Sequence, residues 1–247
     1  MKRWHLGGIL AVAMTIALVY MAPARLLAVL LPGEQALLQG YQGTLWRGSA
    51  SRALVQVGGG YLHLGAVRWR LYPLSLLLLS PRLDIESKWG SQLISGELAL
   101  RGERDMDLRD FSANVAADLV RQYAPIILDG MLSAQFSLLQ LREGLPYSAA
   151  GRLVWQGGGW QSPSGMKPLG NYALEVEQPA GEPLSAQVLT LSGPVQAAGT
   201  VRLQGRNYQV DVLVSSAAAM DPQLQQALSL LAQPESGGYR IRMNGEL

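Results

Sequence analysis

Leu83-Asp84-Ile85-Glu86-Ser87-Lys88-Trp89 decides the fold class. Its odd positions are largely apolar and its even positions charged, the period of two that gives a β-strand one buried and one wet face. The same alternation runs through Val67-Arg68-Trp69-Arg70-Leu71 and through residues 111–115, 132–138, 208–212 and 239–243. An amphipathic helix would repeat every 3.6 residues instead. From Glu34 onward the chain is therefore expected to be all-β: a mostly antiparallel, strongly curved meandering sheet with a few short helices.

Working outward, a glycine-led tripeptide recurs at Gly43, Gly96, Gly130, Gly151, Gly199 and Gly245. It reads as the start of a strand after a tight turn. The runs Gly58-Gly59-Gly60 and 157–159 read as turns as well, since neither opens a helix nor precedes the Lys-Ser/Thr of a phosphate loop. Residues 162–168 and 178–183 are the best loops. Helices are expected at 73–79, 117–123 and 221–231. The last has Asp221 as cap, Pro222 at its first position and an apolar stripe of Leu224, Ala227, Leu228 and Leu231.

The N-terminal stretch differs in kind. Lys2 and Arg3 precede an apolar run in which Trp4, Leu6, Ile9, Leu10, Val12, Ile16, Leu18, Val19 and Tyr20 stand without a charge among them. At ~1.5 Å per residue such a run reaches across a ~30 Å hydrocarbon layer, and the charge bias places its start in the cytoplasm. The reading is a cytoplasmic start at 1–3, a transmembrane helix at 4–24, a juxtamembrane helix and linker at 25–33, and a periplasmic β-domain at 34–247. The location this predicts is the bacterial inner membrane, single-pass. A cleaved signal peptide is the competing reading, but Pro23 spoils the small-residue site and apolar character resumes after Arg25.

Composition narrows the chemistry. The chain has no cysteine and a net charge of +2; with Lys2, Arg3 and Arg25 set aside, the remainder is close to neutral. Thiolate chemistry and disulfides are excluded, and scattered single charges do not make a nucleic-acid stripe. His63 is the one histidine beyond the anchor region, on an alternating strand without a G-x-S-x-G elbow anywhere to pair with it. Asp105 and Asp107 read as a solvated acidic pair in a turn. Asp84 and Glu86 share one strand face and so point in parallel rather than across a substrate. No enzymatic activity, cofactor or metal is expected.

Two segments carry a resemblance. Gly43-Thr44-Leu45-Trp46-Arg47-Gly48-Ser49-Ala50 is followed by Gly65-Ala66-Val67-Arg68-Trp69-Arg70-Leu71-Tyr72-Pro73. Together these elements resemble the type II secretion system protein N family (general secretion pathway protein N), which has a G-T-L-W-x-G-x-A element and a downstream G-x-V-x-W-x-L-x-P element. The resemblance implies an accessory component of the inner-membrane platform that exports folded periplasmic proteins. Its partners would be the inner membrane and other components of that system, and no residue would be catalytic. The motif positions Gly43, Thr44, Leu45, Trp46, Gly48, Ala50, Gly65, Val67, Trp69, Leu71 and Pro73 are expected to be structural. The alternative is a periplasmic module that binds or transfers a lipid or apolar ligand along an open sheet.

Overall fold

The computed structural model describes residues 14, 17–30, 36–57, 60–102, 104–118, 127–162, 165–216 and 220–246. It divides into two compact units, Met1–Trp89 and Gly90–Leu247. Fourteen strands lie among the described residues, and every pair described below is antiparallel.

The first unit holds β1 (Ala36–Gly43), β2 (Arg47–Val57), β3 (Gly60–Leu71) and β4 (Arg82–Trp89), paired in chain order. Register sorts their side chains by face. Ser49 faces Arg68, which faces Glu86; one step along, Gly48 faces Trp69, which faces Ile85. The polar residues thus share one face and the apolar residues the other. The core is built on small residues: Ala24, Ala50, Ala53, Val67 and Trp69 are buried, with Leu38, Tyr41, Leu64 and Ile85 packed against them. The described residues of this unit include the short helices α1 (Leu27–Leu30), preceded by a 3-10 turn at Ala24–Leu26, and α2 (Pro73–Leu77).

The second unit meanders through β5 (Gln92–Leu100), β6 (Met106–Ala116), β7 (Leu128–Arg142), β8 (Leu145–Ser162), β9 (Gly165–Gln178), β10 (Leu184–Ser192), β11 (Val195–Gln204) and β12 (Asn207–Ser216). It ends with α3 (Pro222–Leu231), β13 (Gln233–Glu235) and β14 (Gly238–Glu246). Chain order is broken once, where β14 lies between β12 and β13. Register carries one apolar rank across many strands: Phe136, Gly151, Val176, Ala186, Val201, Val210 and Met243 oppose one another in turn. The adjacent rank, Gln135, Arg152, Glu175, Gln187, Thr200, Asp211 and Arg242, is polar. The alternation read from the sequence is the physical sorting of these two faces.

Four expectations are corrected. The fold class placed a transmembrane helix at 4–24, but among the described residues no helix is long and apolar enough to cross a membrane. Trp4, Leu6, Ile9, Leu10, Val12 and Ile16 lie outside the described residues. Leu18, Val19 and Tyr20 are helical and exposed, Met21 turns, and Pro23 is extended with φ −71° and ψ 148°. Proline has no N–H to continue the helix and biases its predecessor away from helical angles. The strand-like Pro23–Thr44 bridge then takes over the backbone.

The glycine-led tripeptides are not strand beginnings. Gly96, Gly130, Gly151 and Gly199 lie within β5, β7, β8 and β11, while Gly43 and Gly245 lie at or near strand ends. Several of these glycines sit under an aromatic ring on the paired strand: a Cβ on Gly151 would stand 2.3 Å from the Phe136 ring, and one on Gly245 2.8 Å from that of Tyr208. Cross-strand aromatics covering glycine are a device for pinning register and filling the gap glycine leaves. Residues 157–159 are likewise inside β8, at a register shift opposite Gly170.

Asp107 is not a solvated turn residue. It lies in β6, is 2% exposed, and its two oxygens accept from Arg101 Nε at 2.9 Å and Arg142 Nη1 at 2.8 Å. Burial pushes its pKa up, but the hydrogen bonds and charges of Arg142 and Arg101 outweigh that and hold it below the ordinary carboxylate value. Asp105 alongside accepts from the Glu143 amide at 2.8 Å, closing the β7–β8 turn onto the β5–β6 turn.

The helix expected at 117–123 is described only as a short turn at residues 117 and 118, the rest lying outside the described residues. Pro222–Leu231 forms as expected, with the Asp221 carboxylate accepting from the amides of Gln223 and Leu224 at 2.9 and 3.4 Å.

Candidate functional site

The two motif segments converge on the end of the first unit where β1 turns into β2. Gly43 adopts φ +82°, and a side chain there would strike the Arg47 carbonyl. The turn is closed by Thr44, whose amide donates to the Arg47 carbonyl at 2.9 Å while its Oγ1 accepts from the Arg47 amide at 3.1 Å. Beyond it, Gly48 lies directly under Trp69, where a Cβ would be 2.4 Å from the ring.

Trp69 fills the space so provided. Its Nε1 donates to the Leu45 carbonyl at 3.0 Å, and Tyr41 meets its ring edge-on with centroids 6.5 Å apart. Burial raises the Tyr41 pKa. Ala50 and Val67 complete the buried layer beneath. Gly65, at φ +69°, lets β3 pass within reach of the Lys88 carbonyl and the Trp89 side chain.

What the turn holds is the N-terminal segment. Leu45 donates its amide to the Ala22 carbonyl at 2.8 Å, Thr44 pairs with Pro23, and Trp46 Nε1 donates to the Val19 carbonyl at 2.8 Å. Ala24 is then buried among Ala50, Ala53, Val67 and Trp69. The Trp46 carbonyl accepts from the Leu71 amide at 2.8 Å, tying the turn to the end of β3, and Pro73 opens α2 just beyond. Motif positions some twenty residues apart therefore form one contiguous cluster.

The opposite face of the same strands carries an open groove of about 590 Å³ whose lining includes Gln42, Arg47, Ser49, Arg68, Arg70, Asp84 and Glu86. Arg47 and Arg70 are direct cross-strand partners, a like-charge pair. Arg70 reaches Asp84 only at 3.9 Å, whereas Tyr72 Oη donates to Asp84 at 2.8 Å. Neither Arg47 nor Arg68 has an ion-pair partner among the described residues.

His63 is exposed and stacks on Trp89, ring centroids 5.9 Å apart. Sequence reasoning missed the seat for residues 19–24 and the Arg101–Asp107–Arg142 cluster. Neither carries a local signal: the first is made mostly of backbone acceptors, and the second joins residues up to 35 positions apart.

Fold and site together define an all-β protein whose most distinctive residues hold its own N-terminal segment against a sheet. The chain belongs to the type II secretion system protein N family: the family model described as "Type II secretion system (T2SS), protein N" matches residues 34–242. It is 30% identical over 266 aligned residues to the type II secretion system protein N of Vibrio cholerae serotype O1, covering the whole of both chains. It is 28% identical over 226 residues to the protein of that name from Aeromonas hydrophila, covering 88% of this chain and 87% of that one. No solved structure matches it.

Proposed function

We propose that this chain is a non-catalytic, membrane-associated accessory component of a type II secretion machine, with residues 34–247 acting as a periplasmic β-domain that docks other components during assembly. The observation that carries this reading is the polar groove of the first unit. Its unpaired Arg47 and Arg68, and the repulsion of Arg47 by Arg70, leave guanidinium groups available for carboxylates of a partner. The motif residues are read as structural: those of the first segment and Val67 and Trp69 form the turn, fill the core beneath it or hold residues 19–24, while Gly65 makes room for Trp89, Leu71 ties the turn to β3 and Pro73 opens α2.

In-cell site-specific photocrosslinking tests the reading. A crosslinker at Ser49 or Glu86 is expected to capture inner-membrane components of the secretion system, with the adducts lost when those components are deleted. Adducts unchanged by deletion, or none from any groove position in secreting cells, would refute docking through this face.

The alternative, lipid or apolar-ligand binding, is favoured by one observation: the apolar rank of the second unit is only half-buried at Phe136, Val201 and Val210. Native mass spectrometry of the purified protein would reveal co-purifying lipid, and a lipid-free protein that takes up none from vesicles would remove this reading.

A further inference from the structure

Between β3 and β4 runs Tyr72-Pro73-Leu74-Ser75-Leu76-Leu77-Leu78-Leu79-Ser80-Pro81, ten positions without a charge. Its leucines face water: Leu74 is 74% exposed, Leu77 80%, Leu78 76% and Leu79 87%. Scattered exposed leucines are ordinary, but a contiguous apolar tip is not.

The exposure is built in rather than left over. Buried Ser75 organises the loop: its Oγ donates to the Tyr72 carbonyl at 2.5 Å and accepts from the Arg82 amide at 2.8 Å, and its carbonyl accepts from the Ser80 amide at 3.1 Å. The Tyr72 amide donates to the Arg82 carbonyl at 3.0 Å, closing the base. Leu79 holds φ +52°, a backbone angle that leucine rarely adopts. The Ser75 hydroxyl and the backbone at the base of the loop are thus bonded inward, and four leucines are displayed.

The loop also starts beside the N-terminal segment. Leu71 donates to the Trp46 carbonyl, and Trp46 donates to Val19. Val19 belongs to a second exposed apolar stretch, with Leu18, Tyr20 and Met21 all more than half exposed. The two apolar segments therefore leave the same end of the first unit. Each is flanked by an exposed arginine, Arg25 after the first and Arg82 after the second, and no acidic residue lies between Arg70 and Arg82.

From this juxtaposition we infer that the 72–81 loop is a membrane-contacting tip that inserts its leucines into the interfacial layer of a bilayer, with Arg82 at headgroup level. A tip whose most exposed side chains are the aliphatic Leu74, Leu77, Leu78 and Leu79, with Tyr72 at its base bonded to Asp84, suits lipid better than a protein pocket, where aromatic and arginine anchors dominate. Apolar tips bordered by cations suit a surface containing anionic lipid. The inference does not rest on docking through the groove, because it can be read with lipid alone.

The test uses the full chain, whose lack of cysteine makes an introduced thiol unique. Leu78→Cys is labelled with an environment-sensitive fluorophore and the protein reconstituted in phosphatidylethanolamine vesicles containing phosphatidylglycerol. Leu191→Cys, on an exposed position of β10, serves as control. The expected result is blue-shifted emission at position 78 with strong quenching by acyl-chain nitroxide lipids, and water-like emission at position 191. Water-like, unquenched emission at position 78 would overturn the inference. So would protection of that label only when other secretion components are added, which would assign the tip to a protein partner.

Discussion

The indole N–H of Trp46 donates to the carbonyl oxygen of Val19, 27 residues earlier, at 2.8 Å. This bond, with Leu45 to Ala22 beside it, joins the most recognisable motif of the chain to a segment that the motif pattern does not contain.

Replacing Trp46 with Phe keeps an aromatic ring, though a smaller one, and removes the donor. A hydrogen bond at a partly solvated site contributes about 0.5–1.5 kcal/mol, so a modest fall in thermal midpoint is expected. Hydrogen exchange should rise locally at Leu45 and in residues 19–24 while β8 and β9 keep their protection. Uniform loss of protection across both units would contradict a local clamp.

Gly48→Ala forces a methyl to within 2.4 Å of the Trp69 ring. Overpacking of this kind costs about 1–3 kcal/mol. Gly102→Ala, where the new Cβ meets nothing nearer than 3.6 Å, is the control and should change the midpoint little. Combining Gly48→Ala with Trp69→Leu should cost less than the sum of the two, because the colliding ring is gone.

The Asp107 cluster makes stability depend on acid. A carboxyl whose folded pKa lies below its unfolded value, ordinarily about 3.9, contributes stability that is fully present above the unfolded value. That contribution is lost as pH falls through the folded pKa. Asp107→Asn should lower stability by about 1–3 kcal/mol at neutral pH, since both arginines lose their counter-charge. It should also flatten the acid limb of a denaturation-midpoint profile recorded from neutral pH downward. An acid limb identical to the parent's would mean that Asp107 remains uncoupled from folding.

Arg47→Glu converts a like-charge cross-strand pair with Arg70 into an opposite-charge one, worth about 0.2–1 kcal/mol in favour of the folded state. If the groove docks partner carboxylates, the same change should weaken groove crosslinks and secretion while the midpoint rises slightly. Unimpaired secretion in the stabilised variant would argue against the groove as the docking face.

Legibility from sequence followed range. The strand faces of 67–71 and 83–89, the cap at Asp221 and the start of α2 at Pro73 depend on neighbours a few residues away, and they were readable for that reason. Gly151 and Gly245 look like turn glycines until Phe136 and Tyr208 are known to lie across from them, which only pairing reveals. Asp107 looks solvated until Arg142 arrives from the end of β7.

The sequence by itself determined the all-β class, the antiparallel meander and the membership signalled by the residues around Trp46 and Trp69, because period-two alternation and short motifs are local chemistry. Only the tertiary structure decided what those motif residues hold and where the N-terminal helical run yields at Pro23. It alone also revealed that the leucines of 72–79 are displayed rather than buried. The physical reason is common to all three: backbone acceptors, cross-strand partners and solvent exposure depend on which distant segments meet, and a side-chain pattern read along one strand carries no record of that.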